Sequence, residues 1–314
     1  VMSIVGFLTN FLIIKIIRKF KNSELKDELF KLIFINSILN CLYCFFCFLD
    51  VMNLNDSNRI YTSSLYSTYF AQYYKIIFVS FLNNIIKLSS NYIYLLININ
   101  RYMLIGKNHT KFLENISKTP TSILIIYIFL FSLLLSLPKT IEYSINIDYY
   151  LYEYPTWIFG TKKPQSVLSN KLFIILFLFF DAFNYLFHSF SSLFVDILAI
   201  RKLNLKKRNK MNSLDSKKEN ETSTRNDIML ILIDLFVNFI IRSPELLGIF
   251  ISVLATLTDE NSSWLNSLIC DRLFICYYFK TFSNFFYIFS ISLNFFIFNR
   301  YNKQFKKCAK YYFK

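Results

Sequence analysis

The chain has 314 residues, of which 54% are hydrophobic, 19% aromatic and 18% charged, with a net charge of +15. Gly (4) and Pro (5) are scarce, and a soluble domain of this length would carry more turn residues and more charge. The positive charge does not indicate a nucleic-acid-binding protein, because it is concentrated between long apolar segments. The composition therefore predicts a membrane protein. Val1 already lies within the first apolar segment, so we expect residues to precede it in the full protein.

Seven apolar segments of about the length that a helix needs to cross a bilayer follow one another along the chain. They cover about 1–18, 29–49, 73–104, 121–138, 170–200, 228–256 and 272–298. Helices are expected, because an isolated span must satisfy its own backbone hydrogen bonds. The sequence predicts an all-α membrane protein, with a seven-transmembrane helix bundle over 1–298 and a basic tail over 299–314.

The distribution of Lys and Arg between these segments predicts the orientation. One set of alternating segments holds 24 of these residues: 15–28, 101–120, 200–227 and 299–314. The other set holds 4: 50–72, 139–170 and 258–271. Basic loops stay in the cytoplasm, which predicts an outer N-terminus, a cytoplasmic C-terminus and contact with membrane lipid. Asn55 and Asn261, in sequons of the outer set, are candidate glycosylation sites in a plasma-membrane protein.

Cysteine and histidine do not form a recognisable metal-binding pattern. Cys41, Cys44 and Cys47 share one helix face, and we interpret them as small packing residues. His109 and His188 each stand alone, so neither a metal nor a cofactor is expected.

Asn100-Arg101-Tyr102 ends the third predicted span at its cytoplasmic boundary. The triplet resembles the Asp/Glu-Arg-Tyr motif of rhodopsin-like G-protein-coupled receptors. The resemblance implies that these three residues couple the chain to a cytoplasmic heterotrimeric G protein. Asn100 stands where the family has an acid, so an ionic restraint from this neighbour on Arg101 is absent.

The seventh predicted span carries a second resemblance. Asn294 and Phe298 lie where the family has Asn-Pro-x-x-Tyr, with Phe295 in the place of Pro, and a basic stretch with Phe follows. The combination looks like invertebrate neuropeptide receptors of the FMRFamide type. In the sixth span, Pro244 occupies the position of the family's kink proline. The resemblance implies that Asn294, Phe298 and Pro244 form the activation switch.

The tail resembles the family's short amphipathic eighth helix. Cys308 lies just after its basic stretch, at a position where an acyl chain could attach, and is a candidate lipidation site.

Four polar residues resemble the positions around the family's interior sodium ion: Asn10, Asn40, Ser90 and Asn294. Asn40 replaces the family's Asp, so this interior polar cluster lacks the charge that attracts a cation. We therefore expect weak or absent sensitivity to sodium. The alternative is that these residues only join the helices by hydrogen bonds.

Ionisable and amide side chains within the spans are candidates for a ligand pocket: Asn83, Lys87, Asp181, Arg242 and Glu245. Ionisable groups at this depth are costly and usually face the interior of a bundle. Arg242 and Glu245 are three residues apart and close enough to pair on one helix face. A structural ion pair that holds helices in register is the alternative.

The fifth predicted span has a polar face of its own. Asp181, Asn184, Tyr185 and His188 recur at spacings of three and four residues and therefore lie on one side of a helix. This face lines either the pocket or an interface between helices.

These resemblances imply a receptor that binds an extracellular ligand, with a peptide favoured, and has no catalytic activity of its own. Amine receptors of the family place an Asp in the outer half of the third helix. This chain has Asn83 or Asn84 in that region, so a small amine is disfavoured as the ligand. A multi-pass transporter or channel is the alternative, because interior charges could line a path.

Overall fold

A computed structural model describes most of the helical regions of the chain. The described residues are 1–21, 24–25, 27–52, 73–105, 111–140, 143–144, 156–157, 171–211, 229, 231–233, 236–237, 243–244, 247 and 272–314. For 51–52, 75, 171–178, 206–211 and 272–281 only the backbone is described.

The described residues are almost entirely helical. The α-helices are α1 (Met2–Phe20), α2 (Glu28–Met52), α3 (Asn83–Leu104), α4 (Lys111–Lys118), α5 (Thr121–Ser136), α6 (Lys171–Met211), α7 (Arg272–Tyr301) and α8 (Lys303–Tyr312). A π-helix (Lys75–Leu82) leads into α3, and a 3-10 helix (Leu137–Thr140) follows α5. Two short strands, β1 (Tyr143–Ser144) and β2 (Thr156–Trp157), pair antiparallel with Tyr143 opposite Trp157.

Five helical stretches among the described residues are long and apolar enough to cross a membrane. They are Glu28–Asp50, Ile76–Leu104, Thr121–Thr140, Phe179–Leu205 and Phe282–Tyr301. The chain is thus a helical membrane protein, as predicted in this coarser form. α1 is not among the five and carries Lys15, Arg18 and Lys19 near its end. Most of the sixth predicted span, 228–256, lies outside the described residues, so the described helices do not fix the number of spans at seven.

α3 is the central helix of the described bundle. α2, α5 and α6 pack against it, while α1 packs against α2 and α7. The Thr121 hydroxyl donates to Glu28 Oε2 at 2.7 Å, which places the beginnings of α5 and α2 together. Arg101 lies against Phe298, which places the ends of α3 and α7 together. We call this end of the bundle the basic end, because described residues of all four Lys- and Arg-rich segments lie there.

The third predicted span is not a uniform α-helix. The N-terminal part of this span is the π-helix, in which the Asn83 N–H donates to the carbonyl of Phe78, five residues earlier. Phe78 also stacks on Tyr74, with ring centroids 5.3 Å apart, and meets Phe46 of α2 at 5.8 Å. π-Helical turns are rare and are frequent at functional sites, and this one directly precedes two pocket candidates.

α8 is amphipathic and packs beside the end of α1. It begins after Asn302, whose Oδ1 accepts from the Phe305 N–H at 2.9 Å. Phe305 and Cys308 are buried beneath it. On the outer side, Lys307 Nζ donates to Glu24 Oε1 at 2.7 Å, and this bond raises the pKa of Lys307. The bond fixes α8 to the connection between α1 and α2.

Gly6 marks the closest approach of α1 to α2 and α7. A Cβ atom at this position would lie 2.7 Å from Cys44 Sγ, 3.0 Å from Ser292 Oγ and 3.1 Å from Ile288 Cγ2. Gly6→Ala therefore forces the helices apart, and we expect it to lower the melting temperature by about 3–8 °C. The measurement is thermal unfolding of the purified protein in detergent. Leu8→Ala, on the exposed side of α1, is the control, and equal melting temperatures for the two variants would contradict the expectation.

Candidate functional site

The interior polar cluster is built as a directed chain of hydrogen bonds between helices. The Ser90 hydroxyl of α3 lies 2.7 Å from Asn40 Oδ1 of α2. Asn40 Nδ2 donates to Asn10 Oδ1 of α1 at 3.2 Å, and Asn10 Nδ2 donates to the Ile291 carbonyl of α7 at 3.3 Å. Asn10 Nδ2 also lies 2.8 Å from the carbonyl of Gly6. Four helices are thus joined at one level of the bundle by side chains that are almost fully buried.

Two further residues border this chain. Asn36 Oδ1 lies 2.8 Å from the Ser90 hydroxyl, so Asn36 and Asn40 share one proton donor. Asn294 is buried on α7, close to one turn after Ile291. The structure brings Asn10, Asn40 and Ser90 into direct contact, whereas for Asn294 it gives only a buried position on the adjacent helix.

The chain of amides is chemically neutral. Its members are carboxamides, a hydroxyl and backbone carbonyls, and each donor already has an acceptor. Hydrogen bonds in such a series polarise one another, and the low dielectric of the interior strengthens each of them. The arrangement holds helices together and orients them. Among the described residues, no group of three or more His, Cys, Asp or Glu is placed to hold a metal ion.

Arg101 lies at the basic end with its guanidinium over an aromatic ring. The guanidinium carbon is 5.6 Å from the centroid of Phe298 of α7. Phe298 in turn meets Phe305 of α8 with centroids 6.0 Å apart. A cation over a ring face is held by the quadrupole of the ring. Arg101, in the last turn of α3, is thereby connected to the end of α7.

The two neighbours of Arg101 have different roles. Asn100 Nδ2 donates to the Leu96 carbonyl at 3.0 Å, one turn back on the same helix. Tyr102 is buried, and Lys202 of α6 places its ammonium 4.5 Å from the centre of the Tyr102 ring. The end of α3 that carries Arg101 and Tyr102 is therefore attached to α6 and α7 through cation–aromatic contacts.

Two pocket candidates, Asn83 and Lys87, lie one turn apart at the beginning of α3. Asn83 Nδ2 lies 3.4 Å from Cys47 Sγ of α2. The Lys87 ammonium is 5.1 Å from the ring centre of Tyr287 of α7. Asn83 therefore faces α2, and Lys87 faces α7.

Asp181, a third pocket candidate, lies on α6. Its carboxylate forms an ion pair with Lys139, which follows α5, at 2.6 Å. Sequence reasoning did not single out Lys139, because it lies in the predicted outer connection beside Pro138. This ion pair joins the 3-10 helix after α5 to α6.

The remaining candidates are placed only in part. Arg242, Glu245, Asn55 and Asn261 lie outside the described residues. Pro244 is half-buried in a short helical piece.

Cys308 is described, and its side chain is 1% exposed. Burial raises the pKa of its thiol, so the nucleophilic thiolate is less accessible in this arrangement. Acylation at Cys308 requires α8 to move away from the bundle.

The cysteines of α2 serve as packing residues. Cys41, Cys44 and Cys47 are free and buried, and Cys44 fills the space beside Gly6.

No protein-family model matches the chain, and no curated protein matches it.

Proposed function

We propose that this protein is a G-protein-coupled receptor that binds an extracellular ligand, with a peptide favoured, and activates a cytoplasmic G protein. The observation that supports it best is the position of Arg101. Arg101 ends the central helix at the basic end, and its guanidinium lies against Phe298 of α7. The family that the Asn100-Arg101-Tyr102 triplet resembles uses this residue for coupling.

The proposed topology is seven spans in the plasma membrane, with the N-terminus outside. The described helices α1, α2, α3, α5, α6 and α7 would be six of the spans, and 228–256 would supply the other. The gathering of Lys- and Arg-rich segments at the basic end supports a cytoplasmic position for that end. α8 would lie along the inner surface.

The proposed mechanism is a shift between two arrangements of the bundle. In the arrangement described here, Arg101 and Lys202 tie the inner end of α3 to α7 and α6. A ligand that prefers the other arrangement would shift the population in proportion to its difference in affinity. Release of Arg101 from Phe298 would then open a cleft for the G protein.

The test is coupling of the full chain to a panel of purified heterotrimeric G proteins in lipid nanodiscs. Nucleotide exchange is measured without ligand and with a library of synthetic peptides. We expect exchange on at least one G protein, and we expect Arg101→Ala to abolish it while leaving the melting temperature nearly unchanged. Arg300→Ala, which removes an exposed arginine at the end of α7, is the matched control.

The outcomes that count against the proposal are clear. Exchange that persists at the wild-type level in Arg101→Ala would remove Arg101 from the coupling surface. Absence of exchange across the panel and the library, from protein that melts cooperatively, would contradict the receptor function itself.

A further inference from the structure

A buried polar face runs along α6 through the middle of the bundle. Its members recur every four residues and together form what we call the polar seam: Asn184, His188, Ser192 and Asp196. The opposite face of α6 carries exposed aromatic side chains, among them Phe183 and Phe194. The polar groups are therefore directed away from the lipid, which could not have supplied them with hydrogen bonds.

The polar seam faces α3. Asn98 Nδ2 of α3 donates to Ser192 Oγ at 2.9 Å. One turn further out, the ring of Tyr92 meets the ring of His188 edge to face, with centroids 6.5 Å apart. These contacts place His188 and Ser192 at an interface between α3 and α6.

Two amide oxygens, one on each of these helices, are buried without a hydrogen-bond partner in the described part of the chain. They are Asn184 Oδ1 and Asn98 Oδ1. Each side chain is more than nine-tenths buried. The backbone N–H groups of the two helices are occupied by the helices themselves, so they cannot serve as donors. Leaving a buried acceptor unpaired is costly, and native proteins rarely do so.

The chemistry around Asn184 Oδ1 and Asn98 Oδ1 indicates which molecule donates hydrogen bonds to these two oxygens. An anion would be repelled, because both unpaired atoms are carbonyl oxygens and Asp196 contributes a carboxylate to the same face. In the part of the chain that the structure describes, no group of three or more His, Cys, Asp or Glu is placed to hold a metal ion. Water is small, donates two hydrogen bonds, and is the usual partner of buried polar groups that lack one.

We propose that ordered water molecules occupy the α3–α6 interface and donate hydrogen bonds to Asn184 Oδ1 and Asn98 Oδ1. This inference holds whether or not the protein is a receptor, because it rests only on the packing of α3 and α6.

The test is X-ray radiolytic labelling of the full chain in lipid nanodiscs. Radiolysis makes hydroxyl radicals from water where the water stands, so bound internal water oxidises the side chains beside it. We expect Tyr92 and His188 to be oxidised well above Tyr127, which is 65% exposed on the outer surface of α5 and would face lipid. Asn184→Leu should reduce the excess labelling of His188, which lies one turn along α6, and lower the melting temperature by about 3 °C.

Phe183→Leu, on the opposite face of α6, is the control and should change neither quantity. A dry interface gives the reverse result: Tyr92 and His188 are labelled no more than Tyr127, and Asn184→Leu raises the melting temperature because it removes an unpaired oxygen. That result would overturn the proposal, as would labelling of His188 that is unchanged in Asn184→Leu. Labelling of the wild-type chain decides the matter even if the variant does not fold.

Discussion

Asn40→Leu is expected to lower the free energy of unfolding by about 2–4 kcal/mol. Asn40 is the link at which the chain of hydrogen bonds passes from α3 to α1. It accepts from the Ser90 hydroxyl at 2.7 Å and donates to Asn10 Oδ1 at 3.2 Å. Leucine has a similar size but neither donates nor accepts, so Asn10 Oδ1 loses its partner in the interior.

The free energy of unfolding is measured by steric trapping in bicelles. Asn36→Leu is the matched control, because Asn36 is also a buried amide on α2 that meets Ser90. In that variant the Ser90 proton still has Asn40 as its acceptor, so we expect less than half of the effect. Equal losses in the two variants would show that the link to Asn10 does not carry the stability.

Phe298→Leu is expected to raise ligand-independent nucleotide exchange about tenfold, if the proposed coupling function holds. Leucine keeps most of the apolar volume beneath α8 but removes the ring face on which Arg101 rests at 5.6 Å. Such contacts contribute about 0.5–2 kcal/mol when partly desolvated. In a two-state bundle, a loss of about 1.4 kcal/mol from the resting arrangement raises the active population tenfold while that population is small.

Basal exchange on the responsive G protein, in nanodiscs, is the measurement. Phe298→Tyr keeps the ring and should stay near the wild-type rate. Phe296→Leu lies on the same helix with a side chain that is 57% exposed, so it should have no effect. The double variant Arg101→Ala/Phe298→Leu should be silent. A rise in Phe296→Leu equal to that in Phe298→Leu would argue for general loosening of α7 instead.

The positions of the helices could be predicted because each one is a long apolar segment between polar connections. α5 covers Thr121–Ser136 where the sequence predicted 121–138, and α7 covers Arg272–Tyr301 where it predicted 272–298. The main difference is α6, which continues to Met211, beyond the predicted end at 200. Its last turns are rich in lysine and arginine, which favour a helix end but do not stop the helix.

Asn10, Asn40 and Ser90 were grouped through their resemblance to the family's interior polar positions, and the structure places them in contact. The partners of the charged residues were not foreseeable in the same way. Arg101 and Lys87 both lie against rings of α7, Phe298 and Tyr287. The charge pattern of a sequence predicts pairs of acidic and basic residues. It does not predict a ring partner, because aromatic residues are too frequent in this chain to give a distinct signal.

The π-helix before α3 also has no evident sequence signal. Its residues, Lys75–Leu82, are as apolar as those of an ordinary span. The wide turns change the direction in which all later side chains of α3 point, including Lys87. A regular α-helix drawn from Tyr73 would therefore have assigned these residues to the wrong neighbours.

The bond between Asn10 and the Ile291 carbonyl has a consequence for biosynthesis. α1 leaves the ribosome long before α7, so Asn10 enters the bilayer well ahead of its acceptor. Until α7 docks beside α1 and α2, an amide donor and the notch at Gly6 remain unfilled in the nascent chain. The hydrogen-bonded connection from α3 through α2 and α1 to α7 can therefore be completed only after nearly the whole chain has been made.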